Sequence, residues 1–157
     1  MNKQPVLFFI AASILFFLAS CNEHPGTKEG SSSARSPIEG TWKLVTATLI
    51  EKGDTTITDY TKHLSFIKII NDSHFAFLQH DVRKDSVNFA AGGGKYKFDG
   101  KNYTEHLEYC NAKAWEGHDF PFTMTITGDT LVQSGIEKID SLGIERLNTE
   151  KYVRLKN

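Results

Sequence analysis

Eight short stretches of this 157-residue chain carry the two-residue period of β-strands, and the links between them alternate between long and tight. In an antiparallel meander successive links fall at opposite ends of the sheet. This order therefore gathers the tight turns at one end and the long loops at the other. Closing such a sheet into a barrel removes its exposed edges, and eight strands enclose an interior that side chains can fill or that can hold one small ligand. Two flat four-stranded sheets would explain the strand number but not the sorting of the links. The expected fold is all-β: an eight-stranded antiparallel up-and-down barrel, closed at one end, with long loops at the other. No stretch keeps a helical period over three turns.

The first strand follows Ile38 in GTWKLVTATLI, with Trp42, Leu44, Thr46, Thr48 and Ile50 on one side. Residues 52–62 are polar without a sustained period and read as a long connection. Leu64–Asn71 and His74–Asp81 form a hairpin across Asp72 and Ser73. Val82–Ala91 is a loose segment, and Gly92, Gly93 and Gly94 suggest a bend or bulge before the next hairpin, Lys95–Tyr109. Asn111–His118 is the third long link. Asp119–Thr127 has the cleanest alternation, with Phe120, Phe122, Met124 and Ile126 inward, and Gly128-Asp129 turns it into Thr130–Lys138. A fourth link, Ile139–Thr149, has room for a helical turn around Asp140–Leu147, and Glu150–Lys156 closes the chain as the eighth strand.

The Lys95–Tyr109 hairpin carries the most unusual pattern. Asp99 and Gly100 suit a type I′ turn, which sets Tyr96 opposite Tyr103 and Phe98 opposite Lys101. Tyr96, Phe98, Tyr103, Glu105, Leu107 and Tyr109 then share a face, so one carboxylate stands among aromatic and aliphatic side chains. The candidate binding set is Tyr96, Tyr103, Glu105, Leu107, Tyr109, Phe120, Phe122 and Met124, with Trp115, Phe89 and Tyr60 at the mouth. Glu105 could accept a hydrogen bond from a ligand amine or hydroxyl, or stay protonated in an apolar cavity. The alternatives are a pairing with Lys68 or Arg154, or exposure to solvent after a register shift.

Other chemistry has less support. His74, His80, His106, His118, Glu108 and Cys110 are scattered over several strands, with His106, Glu108 and Cys110 on the face opposite Glu105. They lack the close ligand pairs of zinc sites, so no metal or other cofactor is expected. There is no G-x-S-x-G elbow, phosphate-binding loop or HExxH pattern, so no catalytic residue is assigned and no enzyme is expected. With 18 basic against 19 acidic side chains, the chain has no electrostatic footprint for nucleic acid.

At the N-terminus, Lys3 precedes an apolar run from Val6 to Ala19, too short to span a bilayer comfortably but suited to a secretory signal. It ends in Leu18-Ala19-Ser20-Cys21, which resembles a bacterial lipobox. The resemblance implies a signal peptide over 1–20 and a lipidated Cys21 anchoring the protein to membrane. The alternative is an ordinary signal peptide with a coincidental cysteine. Residues 21–37 read as a flexible tether and 38–157 as the folded domain. With Cys21 modified, Cys110 has no partner and reads as a small buried apolar residue. Only Glu23 closely follows Cys21 as an acidic residue, which favours the periplasmic face of the outer membrane as the location in the cell envelope.

Gly40-Thr41-Trp42 resembles the Gly-x-Trp motif of lipocalins and the wider calycin group, and Arg154 resembles the arginine that packs across that tryptophan. More closely, the lipobox, the tether, the GTWKLV opening, the Lys95–Tyr109 segment, the Gly-Asp turn and the EKYVRL ending look like lipocalin-like domains of small bacterial lipoproteins. Two features depart from the fatty-acid-binding members of the group. The first link is too short for their two-helix portal, and their Arg-x-Tyr carboxylate clamp stands reversed as Tyr152, Val153, Arg154. The resemblance implies a closed-end pair of Trp42 and Arg154 and a lipid-anchored protein binding a small, largely apolar molecule. The competing expectation is a filled barrel that grips an envelope protein partner through mouth loops carrying Trp115 and Phe89.

Overall fold

The structure, a computed structural model, describes residues 35–156; the signal segment, Cys21 and the tether up to residue 34 lie outside the described residues. Nine strands follow in order: β1 (Gly40–Glu51), β2 (Asp54–Asp59), β3 (Leu64–Ile70), β4 (His74–Asp81), β5 (Phe89–Phe98), β6 (Asn102–Cys110), β7 (Asp119–Thr127), β8 (Thr130–Ile139) and β9 (Ile144–Arg154). From β3 to β9 each strand pairs antiparallel with the next, and β1 closes the ring between β9 and β3. The result is a closed eight-stranded antiparallel barrel with one additional strand, β2. Short 3₁₀ turns at Lys113–Trp115 and Asp140–Leu142 are its helical elements among the described residues.

β2 corrects the reading of 52–62 as an unstructured link. Glu51 pairs with Asp54, and the two residues between them, Lys52 and Gly53, have φ of 52° and 89°. Positive φ at both central positions is the type I′ geometry whose twist suits a hairpin. The β-branched residues of DTTITD then extend along β1 from Thr46 to Glu51, while β3 takes the lower part of the same edge from Gly40 to Lys43. At the opposite end of the chain, the link expected over 139–149 shrinks to Asp140–Gly143. Gly143 caps the 3₁₀ turn in the left-handed region, and β9 starts at Ile144.

Two bulges change which residues face inward. In β1 the register with β9 shifts between Leu44 and Thr46, leaving Val45 as the extra residue. Trp42 and Leu44 point into the barrel as expected, but beyond the bulge Ala47 and Leu49 take the inner face in place of Thr46, Thr48 and Ile50. In β6, Leu107 pairs with Gly94 and Tyr109 with Gly93, so Glu108 is extra. Tyr109 therefore turns outward and is 69% exposed, while Cys110 turns in. Gly94 permits this bulge, because a Cβ there would run into the His106 carbonyl oxygen.

The β5–β6 turn also differs from expectation, with less consequence. Asp99 accepts from the backbone N–H groups of Lys101 and Asn102, Gly100 has φ of 100°, and Phe98 pairs with Tyr103. The central residues are thus Gly100 and Lys101, one place later than predicted. Moving a two-residue turn by one place slides the register by two. Tyr96, Phe98, Tyr103, Glu105 and Leu107 therefore keep their common face.

The closed end is sealed by a stack. The Arg154 guanidinium lies 4.0 Å from the centre of the fully buried Trp42 ring, and its two terminal nitrogens donate to the carbonyl oxygens of Glu39 and Pro37, each at 2.6 Å. Trp42 donates its indole N–H to the Ile38 carbonyl at 2.7 Å. The segment entering β1 is thereby fixed under the barrel by a planar cation that lysine cannot imitate. Arg154→Lys should cost about 1–3 kcal/mol in urea unfolding through the lost carbonyl bonds and stacking. Gly94→Ala should cost about 1–3 kcal/mol by overpacking the bulge. Unfolding midpoints equal to the native protein's would refute the role given to either residue.

Candidate functional site

The lower half of the barrel is packed with Trp42, Leu44, Ile70, Phe75, Tyr103, Met124, Leu131 and Tyr152. Above them lies a cavity of about 340 Å³. Its walls come from Ala47 and Leu49 of β1, Phe66 of β3, Phe77 of β4, Leu107 of β6, and Phe120 and Phe122 of β7. Tyr60 and Trp115 stand near its upper end. The β6–β7 link places Trp115 there: the Glu116 carboxylate accepts from the Cys110 N–H, Gly117 donates to the Leu107 carbonyl, and the Trp115 ring lies 5.7 Å from Phe120.

The cavity floor is ionic. Lys68, on the inner face of β3 and almost fully buried, donates from Nζ to Glu105 Oε1 at 2.7 Å and to Gln133 Oε1 at 3.0 Å, with Glu150 Oε2 at 3.9 Å. The rings of Tyr152, Phe75 and Tyr103 surround the same ammonium at 5.3, 5.8 and 5.9 Å. Burial opposes the charge on Lys68, but Glu105 and Glu150 outweigh it, and the pKa lies above the ordinary lysine value. Burial raises the Glu105 carboxyl pKa, with Lys68 pulling the other way. Burial and the neighbouring Glu105 carboxylate raise Tyr103. Tyr152 donates to Glu150 Oε2 at 2.7 Å.

A second polar cluster lines the β8–β9 side. Glu137 accepts from Arg146 Nε at 2.6 Å and from Asn148 Nδ2 at 2.8 Å. The Arg146 guanidinium lies 5.0 Å from the Trp115 ring centre, joining the β6–β7 link to β9 across the cavity. The carboxylate fixes the orientation of the Asn148 amide, since only the NH₂ end can donate to it. Asn148 Oδ1 is left buried without a partner on the cavity wall.

Of the residues nominated from sequence, Glu105, Leu107, Phe120, Phe122 and Trp115 line the cavity, as does Tyr60. Tyr103 and Met124 belong to the packed half below it, and Tyr96 donates its hydroxyl to the Asn71 carbonyl in the β3–β4 turn, away from the cavity. Tyr109 and Phe89 are on the outside. Glu105 pairs with Lys68, one of the alternatives open at the sequence level, and Arg154 is engaged at the closed end. Gln133, Glu137, Arg146, Asn148 and Glu150 were not nominated. Their signal was a polar residue at every second position from Arg146 to Glu150 in β9, with Gln133 and Glu137 opposite its two ends in β8.

His106 bonds through Nδ1 to Asp119 on the outer surface, and the β6 bulge separates it from Cys110, which lines the cavity. Their common face, expected from strict alternation, does not form. No group of three His, Cys, Asp or Glu side chains converges as metal ligands would among the described residues. No protein-family model matches this chain, and neither does any curated protein.

The floor predicts its own response to mutation. Lys68→Met leaves Glu105 and Glu150 without their cation and should cost about 3–5 kcal/mol at pH 8. A carboxyl whose folded pKa exceeds its unfolded value of 4.5 binds a proton on folding, so its contribution to stability falls as pH rises through that interval. Without Lys68 the burial of Glu105 is unopposed and the interval widens. Urea unfolding should therefore show a larger cost of Lys68→Met at pH 8 than at pH 5, and Glu105→Gln in the same chain should recover part of it. An equal cost at both pH values would count against the pairing.

Proposed function

We propose that this protein holds one small molecule with a largely apolar body in its barrel cavity, and that it does so in the cell envelope, anchored by lipid on Cys21. The observation that carries the binding half is the cavity itself. About 340 Å³, walled mainly by aromatic and aliphatic side chains with a few fixed polar groups, is the usual composition of a small-molecule site. Its volume matches roughly eleven waters at liquid density, which sets the scale of the ligand. The envelope half is supported by the Leu18-Ala19-Ser20-Cys21 sequence after an apolar run. The similarity to lipocalin-like lipoproteins in the Gly40-Thr41-Trp42 and Arg154 positions agrees with both.

A second reading, a module that engages an envelope protein, is favoured by one observation. Leu78, Val82, Val87, Phe89 and Tyr109 are exposed on neighbouring stretches of β4, β5, β6 and the β4–β5 link, with Val87 98% exposed. Trp115 does not contribute to that surface, since its ring is held over Phe120.

Native mass spectrometry of the protein purified gently from its own host separates the readings. A reproducible adduct of small mass, lost on denaturation, is the expected result. A bare protein that also takes up no apolar dye would favour the surface reading instead.

A further inference from the structure

The polar groups on the cavity wall are unevenly balanced, and the imbalance specifies the head group a ligand must carry. Two cations, Lys68 and Arg146, face three carboxylates, Glu105, Glu137 and Glu150. Lys68 is bonded to Glu105 and Arg146 to Glu137, which leaves Glu150 with only a hydroxyl donor, Tyr152, and a cation 3.9 Å away that is already engaged. Two residues along the inner face of β9, Asn148 presents an unpartnered oxygen whose orientation its bond to Glu137 has fixed. The acceptors left over are Asn148 Oδ1 and the second oxygen of Glu150; the donors left over are the amide N–H groups of Gln133, whose oxygen takes Lys68, and the terminal N–H groups of Arg146, so it is the charge count that separates the head groups. An anionic ligand would add a fourth negative charge against two cations. Aromatic rings around the remaining wall favour a positive charge over a negative one.

We propose that the ligand of this cavity is an organic amine, bound as its ammonium ion between Glu150 and Asn148, with an apolar body of about ten non-hydrogen atoms against the aromatic wall. The proposal rests on the cavity-binding reading above and narrows it to a chemical class. It also runs against a carboxylate ligand, for which Arg146 would have to release Glu137 or use its remaining N–H groups while stacked near Trp115.

The test is calorimetric titration of the purified protein with three probes sharing one ring system: 1-naphthylmethylamine, 1-naphthylmethanol and 1-naphthoic acid. A charge-assisted hydrogen bond predicts that the amine binds roughly tenfold or more tighter than the alcohol, with the acid weakest. Glu150→Gln should weaken the amine far more than the alcohol and so remove most of the preference for the amine. Equal affinity for amine and alcohol, or tightest binding of the acid, overturns the amine assignment while leaving a cavity binder. A Glu150→Gln protein that keeps the native preference for amine also overturns it. Binding of none of the three overturns the cavity reading and this inference with it. The series on the native protein decides the head group even if the variant does not fold.

Discussion

β1 is hydrogen-bonded along both edges, to β9 on one side and to β3 and β2 on the other, and the rest of the molecule follows from that closure. A sheet bonded to itself has an inside, and β2, paired with β1 alone, keeps its outer edge free. Side chains directed inward lose most of their access to solvent. Any polar one must then find its partner among the others. Lys68 does so with Glu105, Gln133 and Glu150, residues brought together from β6, β8 and β9 only because the sheet curls round to meet itself. An open sheet of the same strands would leave these groups to bulk water.

The division of the interior into a packed half and a hollow half follows from residue size. Near the closed end, inward positions carry Trp42, Leu44, Phe75, Tyr103, Met124 and Tyr152, which fill an eight-stranded barrel. Toward the loops the inward positions include Ala47, Ala90 and Gly92, and the neighbouring aromatics use the space they leave. Phe77 lies where a Cβ on Gly92 would be, and Phe122 crowds Gly135 in the same way. These glycines bring ring faces onto the cavity wall without bringing the rings to its centre. Packing at the closed end also fixes the depth of the ionic floor, because Tyr103 and Tyr152 lie beneath Lys68 and keep it from sinking further.

The strand pattern and the barrel were legible because period-two alternation survives errors of turn placement. The β5–β6 turn sits one residue later than Asp99-Gly100 suggests, yet Glu105 still faces inward, since the register slid by an even number. Bulges are different. One extra residue at Val45 and one at Glu108 reverse the faces of everything beyond, which is why Ile50 and Tyr109 were expected inside and stand outside. Only the glycine run opposite Tyr109 gave any hint. The floor was half visible. A lone Glu105 on an aromatic face drew attention, whereas Gln133, Glu137, Asn148 and Glu150 were given no inward role. Alternation is a guide to the inside only where the inside is apolar, and here the cavity reverses it: Glu137 is buried while Ile136 beside it is 46% exposed.

That reversal has a thermodynamic cost. Apolar residues of similar volume at Lys68 and Glu105 would often give equal or greater stability, because a buried ion pair seldom recovers the full cost of leaving water. What the ions provide that apolar residues do not is a set of fixed charges and acceptors at a known depth. Such groups favour a molecule that can replace the hydrogen bonds of water on the floor, and they penalise one that cannot. The aromatic wall above has the opposite preference and rewards apolar area with little regard to detail. A molecule satisfying both would carry a polar group directed at Lys68, Glu105 and Glu150 on the floor and an apolar body against the rings above, within reach of the Arg146–Glu137 pair beside Trp115.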